Sequence, residues 1–156
     1  MLFCSLMTTM VIGQQDYSRL LSQLHSSESK SLNIDGTNYS LVSADFTVTT
    51  TNKGSYLRIA EHQQEGWSVR VLAADGDPLM TGFYSDVALT IPNGRFTYYH
   101  PNDRMECTGT FVNGVKSGVW IRYDTSGNVI AERVYTGLGT DELLMKNGPD
   151  MKAGDR

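Results

Sequence analysis

Residues 94–114 return, in altered form, as residues 118–138. A shift of 24 sets Gly94 on Gly118, Phe96 on Trp120, Tyr99 on Tyr123, Cys107 on Ala131 and Phe111 on Tyr135. An earlier stretch matches the second half of this unit. Placing Gly76 on Gly127 sets Leu79 on Ile130, Met80 on Ala131 and Tyr84 on Tyr135, while the first half aligns only with a gap around Ala73 and Ala74. Self-similarity of this kind marks a repeat architecture. Each copy reads as a β-hairpin of two short strands, with the turn at Pro101–Asp103 in one copy and Thr125–Asn128 in the next. A lone hairpin is marginal in water. Stacked edge to edge, hairpins pair their backbones and line up equivalent side chains in columns.

One column holds Met80, Cys107 and Ala131, and the next on the same face holds Tyr84, Phe111 and Tyr135. Gly82 and Gly109 lie between them and leave room for an aromatic ring over the backbone. Arg133 replaces that glycine in the last copy, which suits a terminal, more exposed position. The stretch from Phe111 to Gly137, with Lys116, Gly118, Trp120, Tyr123, Gly127, Glu132, Tyr135 and Gly137 at its pattern positions, resembles the bacterial variant of the MORN repeat. Proteins of that kind are often named as antitoxin components of toxin–antitoxin systems. The resemblance covers residues 76–138, most clearly 94–138, and residues before about 66 depart from it. It implies a repeat β-sheet that binds or scaffolds, with no catalytic residues to carry over.

Composition agrees with a β-rich globular chain. Hydrophobic residues make up 40% and charged residues 19%, with 15 Gly and 8 Tyr. The net charge of −4 argues against a nucleic-acid binder, which needs a basic stripe against phosphates. The same charge, without a Lys/Arg cluster in the sequence, argues against membrane lipid contact. Two cysteines, Cys4 and Cys107, exclude a disulfide-dense scaffold.

Residues 1–13 carry no charge and hold an apolar run from Leu2 to Ile12, too short to span a bilayer but of signal-peptide length. This predicts a signal peptide at 1–13 and a periplasmic or secreted protein. Residues 14–31 read as a short helix and linker, with Asp16 as N-cap and Tyr17, Leu20, Leu21 and Leu24 as one apolar stripe. Residues 32–75 read as N-terminal strands, including one over Tyr39–Thr50, with turns at Asn33–Gly36 and Asn52–Gly54. Residues 76–145 form the repeat sheet and 146–156 a polar tail.

Sites of chemistry are sparse. His25, His62 and His100 make no metal-binding spacing, and Glu61, His62 and Glu65 are split between faces of a strand. His100, before Pro101, is expected to be exposed. Cys107 shares its column with Met80 and Ala131, which marks a packing position. Asp124–Asn128 reads as a tight turn rather than a calcium loop. The aromatics Phe96, Tyr98, Tyr99, Phe111, Trp120, Tyr123 and Tyr135 pack across strands, with Phe96 and Tyr98 on one face and Tyr99 on the other. A single sheet buries both faces only if something covers them. The expectation is thus a mainly β fold, an antiparallel meander of MORN-like β-hairpin repeats with a short N-terminal helix. It would be a non-enzymatic binding or scaffold protein without cofactor or metal, engaging a protein partner or an envelope glycan through Tyr98, Trp120, Arg122 and Tyr135. The alternative is a cytoplasmic, antitoxin-like protein that masks a protein partner.

Overall fold

The computed structural model describes residues 14–51 and 56–138. The predicted signal peptide with Cys4, the Asn52–Gly54 turn and the tail lie outside the described residues. One helix, α1 (Gln14–Ser26), precedes nine strands: β1 (Ser31–Ile34), β2 (Thr37–Val42), β3 (Tyr56–Gln63), β4 (Gly66–Leu72), β5 (Pro78–Tyr84), β6 (Gly94–Tyr99), β7 (Met105–Val112), β8 (Val115–Tyr123) and β9 (Val129–Thr136). The strands form one sheet in sequence order, each antiparallel to the next. The protein is a mainly β meander with a short N-terminal helix.

The helix exists to cover the back of the first strands. Its period of 3.6 residues puts Tyr17, Leu20 and Leu24 on one face, and all three are buried against Leu41, Leu57 and Ile59. Each such burial contributes about 1.5–3 kcal/mol. The Tyr17 hydroxyl donates to the Ala73 carbonyl, which fixes the helix at the end of β4. The helix starts at Gln14, so Asp16 lies in its first turn and is not its N-cap. At the other end Lys30 Nζ donates to the His25 carbonyl at 2.6 Å and satisfies one of the last acceptors.

The repeat is confirmed and extended by the strand register. Tyr84, Phe111 and Tyr135 stand opposite Trp67, Gly94 and Gly118. Met80, Cys107 and Ala131 stand opposite Val71, Tyr98 and Arg122, and a bulge follows each pair at the same place. The first copy is therefore complete over residues 66–84 and needs no gap at Ala73–Ala74. Its offset from the second copy is 27 throughout, from Trp67 onto Gly94 to Tyr84 onto Phe111. The three additional residues lie in the connection between β5 and β6. Residue identity fades there because Val69 and Val71 stand where the second copy carries Phe96 and Tyr98 and the third Trp120 and Arg122.

The three hairpin tips share one geometry. In Ala73–Asp77, His100–Arg104 and Asp124–Asn128 the first N–H donates to the fifth carbonyl, and the fourth N–H donates back to the first carbonyl. The fourth residues, Gly76, Asp103 and Gly127, have φ of 98°, 61° and 90°, the left-handed position of a three-residue hairpin loop. Ser43–Thr47 repeats this loop, with Phe46 at φ 62°. There it corrects the predicted strand Tyr39–Thr50. The strand ends at Val42, and the chain folds back so that Val48 bridges Val42 and the Thr49 N–H donates to the Leu41 carbonyl. The Leu41 N–H donates to the Lys30 carbonyl, so this excursion lies on the β1 edge of β2.

The two glycines between the columns have a packing reason. A Cβ on Gly82 would stand 2.3 Å from Phe96 Cε1, and one on Gly109 would stand 2.1 Å from Trp120 Cδ2. Each ring lies back over the glycine of the preceding strand. Gly82→Ala and Gly109→Ala should each destabilise the fold by roughly 1–3 kcal/mol through overpacking, read from denaturant midpoints against an exposed control such as Thr125→Ala. A pH effect follows from two buried phenols. Burial pushes Tyr17 and Tyr98 up from 10.0 to about 12, holding both neutral. Stability should be intact below pH 10 and fall as pH rises to about 12, with tyrosinate absorbance appearing over the same interval.

Candidate cationic cleft on the aromatic face

The two faces of the sheet differ along its length. The back of β2–β4 is covered by α1, whereas the back of the repeats carries the row Thr81, Thr97 and Thr108. Thr97 and Thr108 are buried, their hydroxyls 3.3 Å apart, with Arg95 Nε on Thr108 Oγ1 at 3.3 Å. The front face of the repeats is aromatic.

That front face is held by a chain of rings, one per strand from β5 to β9. Tyr84 meets Phe96 at 5.3 Å between centroids, Phe96 meets Phe111 at 4.9 Å, Phe111 meets Trp120 at 5.0 Å, and Trp120 meets Tyr135 at 6.2 Å. All four contacts are edge-to-face, with interplanar angles of 74° to 81°. Such a pair adds about 0.5–1.5 kcal/mol beyond the area that it buries. Tyr98 sits beside the chain, stacked on Phe46 at 6.4 Å. The folded-back loop after β2 therefore covers one end of the aromatic face.

Over the last repeat the face opens into a cleft of about 200 Å³ lined by Cys107, Lys116, Trp120, Arg122, Ala131, Arg133 and Tyr135. Strand alternation places Lys116, Trp120 and Arg122 on one side of β8 and Ala131, Arg133 and Tyr135 on the same side of β9. Three of the four expected contact residues, Trp120, Arg122 and Tyr135, meet here. Tyr98 does not line the cleft. Trp120 forms its floor: only 3% of the residue is exposed, and its Nε1 donates to the Thr110 carbonyl at 3.2 Å. Lys116 Nζ lies 4.1 Å from the Trp120 ring centroid and 5.4 Å from that of Tyr135, which seats a cation on the floor.

Charge is unbalanced in this cleft. Arg122 approaches Glu106 at 3.8 Å, a loose and exposed pair. Lys116 and Arg133 form no ion pair among the described residues. Burial pushes the Cys107 thiol up, and the Lys116 and Arg122 cations pull the other way. The net direction keeps Cys107 a thiol, the form in which it does not act as a nucleophile. Lys116 and Arg133 were not among the expected contacts. Lys116 stood in the repeat motif as a pattern position, and Arg133 drew notice only as the residue replacing a glycine.

The remaining sequence candidates are dispersed. Glu61 pairs with Arg70 at 3.1 Å on the back face, and His62 meets the Trp67 ring at 5.0 Å on the front. No group of three or more metal-ligating side chains occurs among the described residues. His100 is half-buried, not exposed, because its Nε2 lies 2.9 Å from the Tyr123 carbonyl of the next hairpin. Arg104 and Asn102 reach the Ser126 and Thr125 carbonyls in the same way, so neighbouring tips are tied together. The Asp124 carboxylate accepts from the Ser126 and Asn128 N–H groups, as a tight turn requires. Comparison of the chain with protein-family models, with curated proteins and with solved structures gave no match.

Proposed function

We propose that this protein is a non-enzymatic binding module that holds an acidic, extended segment of a protein partner in the cleft over its last repeat. The observation that carries this reading is the convergence of Lys116, Arg122 and Arg133 on an aromatic floor, in a chain whose net charge is −4. Arginine and aromatic side chains are the residues enriched at the centres of protein interfaces. The cleft also borders β9, whose outer edge has no strand partner among the described residues. An extended segment added there would pair its backbone with β9 while its carboxylates meet Arg122 and Arg133. Ile130 and Val134 alternate with Ala131, Arg133 and Tyr135 and are exposed on the opposite face of β9, outside the cleft.

The common register of the three hairpins supports the MORN-like reading, in which a repeat sheet serves as a binding platform. The uncharged apolar run at Leu2–Ile12 supports an exported setting, in the periplasm or outside the cell. A cytoplasmic, antitoxin-like role would use the same cleft to mask a protein. The mass of the N-terminus after cell fractionation separates the two: export predicts a chain beginning at Gln14 outside the cytosol, and an intact Met1 in the cytosol favours masking.

The binding reading is tested by selecting peptides from a random display library on the full chain. Acidic peptides should be enriched, their binding should weaken as salt is raised, and Arg122→Gln/Arg133→Gln should reduce it by about tenfold or more. Enrichment without acidic preference, or binding indifferent to the double variant, overturns the proposal. Binding of acidic sugars on a glycan array, without peptide binding, would replace the partner protein by a glycan.

A further inference from the structure

A second cation is held on the same face at the opposite end of the sheet, and it is more deeply set. Arg58 projects from β3 between Ser40 of β2 and the connection from β5 to β6. Its Nε donates to Ser40 Oγ at 3.1 Å. The residue is half-buried, and no carboxylate pairs with it among the described residues. Burial lowers its pKa, and the one opposing influence is the Tyr84 phenol, itself pushed up and neutral at ordinary pH. A guanidinium does not escape this cost by losing its proton. A half-buried guanidinium with no carboxylate partner keeps N–H donors available to an anion from solution.

The surroundings fit a small ligand. Arg58 lines a cleft of about 300 Å³ together with Asn33, Asn38, Ser40, Val87 and Leu89. Asn33 Nδ2 donates to Asn38 Oδ1 at 2.6 Å, which leaves the Asn38 amide N–H groups to donate to a ligand. Val87 and Leu89 of the β5–β6 connection line its other side. The loop that carries them is braced by the Asp86 carboxylate, which accepts from the Thr90 and Ile91 N–H groups at 2.9 and 2.7 Å. That carboxylate is engaged with its own loop, not with Arg58.

We infer that the cleft beneath the β5–β6 connection binds a small oxyanion, a carboxylate or a phosphate, through the fork of Arg58 and the amide of Asn38. This site rests on different residues from the cleft over the last repeat and stands or falls independently of it. The test is thermal unfolding of the full chain in sodium phosphate, acetate and citrate, against sodium chloride at matched ionic strength. At least one oxyanion should raise Tm saturably. Arg58→Gln should abolish the rise, and Arg58→Lys, which keeps the charge but loses the fork, should weaken apparent affinity by about tenfold. Arg19→Gln, on the exposed side of α1 and outside both clefts, should leave it unchanged. Response to phosphate alone names a phosphate ligand, and response to acetate or citrate alone names a carboxylate. In parallel, the side-chain amide NMR signals of Asn38 in the unmodified chain should shift on titration with the stabilising anion. This second readout does not depend on any variant folding. Absence of a saturable rise, or one that survives in Arg58→Gln, or anion-induced shifts confined to the surroundings of Trp120, overturns the inference.

Discussion

A sheet one layer thick must bury an apolar face without a second layer to bury it against. In the repeats this is solved by laying each large ring back over the preceding strand. Phe96 lies on Gly82 and Trp120 lies on Gly109, so close that a methyl group in either place would overlap ring atoms. The ring gains a backbone surface as its floor, and the sheet gains a cover built from its own side chains. Everything else on the front face depends on this contact. The edge-to-face chain from Tyr84 to Tyr135 can run across five strands only because its larger rings lie flat enough to present edges to their neighbours.

Such packing needs a following strand to complete it, and its absence at the end of the sheet is what makes a site. Burial fades along a single column: Met80 is fully buried, Cys107 half-buried and Ala131 exposed. The chain places cations where the apolar cover runs out, with Lys116 on the Trp120 ring and Arg122 and Arg133 at the rim. At the opposite end the cover comes from other sources. Helix α1 lies behind β2–β4, Phe46 reaches over Tyr98, and the β5–β6 connection brings Leu89 down onto the core. There the leftover space is larger, about 300 Å³ against 200 Å³, and holds one cation rather than three.

The elements legible in the sequence were those whose residues are forced by local geometry. Asp35–Gly36 and Asn113–Gly114 both have positive φ at the two central positions, as a two-residue hairpin turn demands, and both could be read directly. Gly82 and Gly109 were legible because a missing side chain between two packed columns leaves a gap that only a neighbouring ring can fill. The first repeat was only half legible. Its strand β4 keeps the register but uses Val69 and Val71 where the later copies carry Phe96 and Tyr98 or Trp120 and Arg122, and register is not written in residue identity. The loop Ser43–Thr47 escaped notice for a related reason. It takes the same shape as the glycine-bearing tips with Phe46 in the left-handed position, so its β-branched surroundings read as strand. Of the cleft, the aromatic floor and Arg122 could be placed from the repeat. Lys116 and Arg133 could not be recognised as a pair, because their proximity depends on which face of adjacent strands they share. Arg58 gave no signal at all: the loop that buries it comes only after two further strands of the chain.

Arg133 governs how the fold can grow. A further hairpin added beyond β9 would have to lay its aromatic ring where Gly82 and Gly109 receive Phe96 and Trp120, and that place is filled by a charged side chain. Copying a repeat onto the end of this chain would therefore not lengthen the sheet unless position 133 also lost its side chain. With Arg133 where the earlier copies carry glycine, β9 presents a charged margin on this face rather than a seat for a further ring.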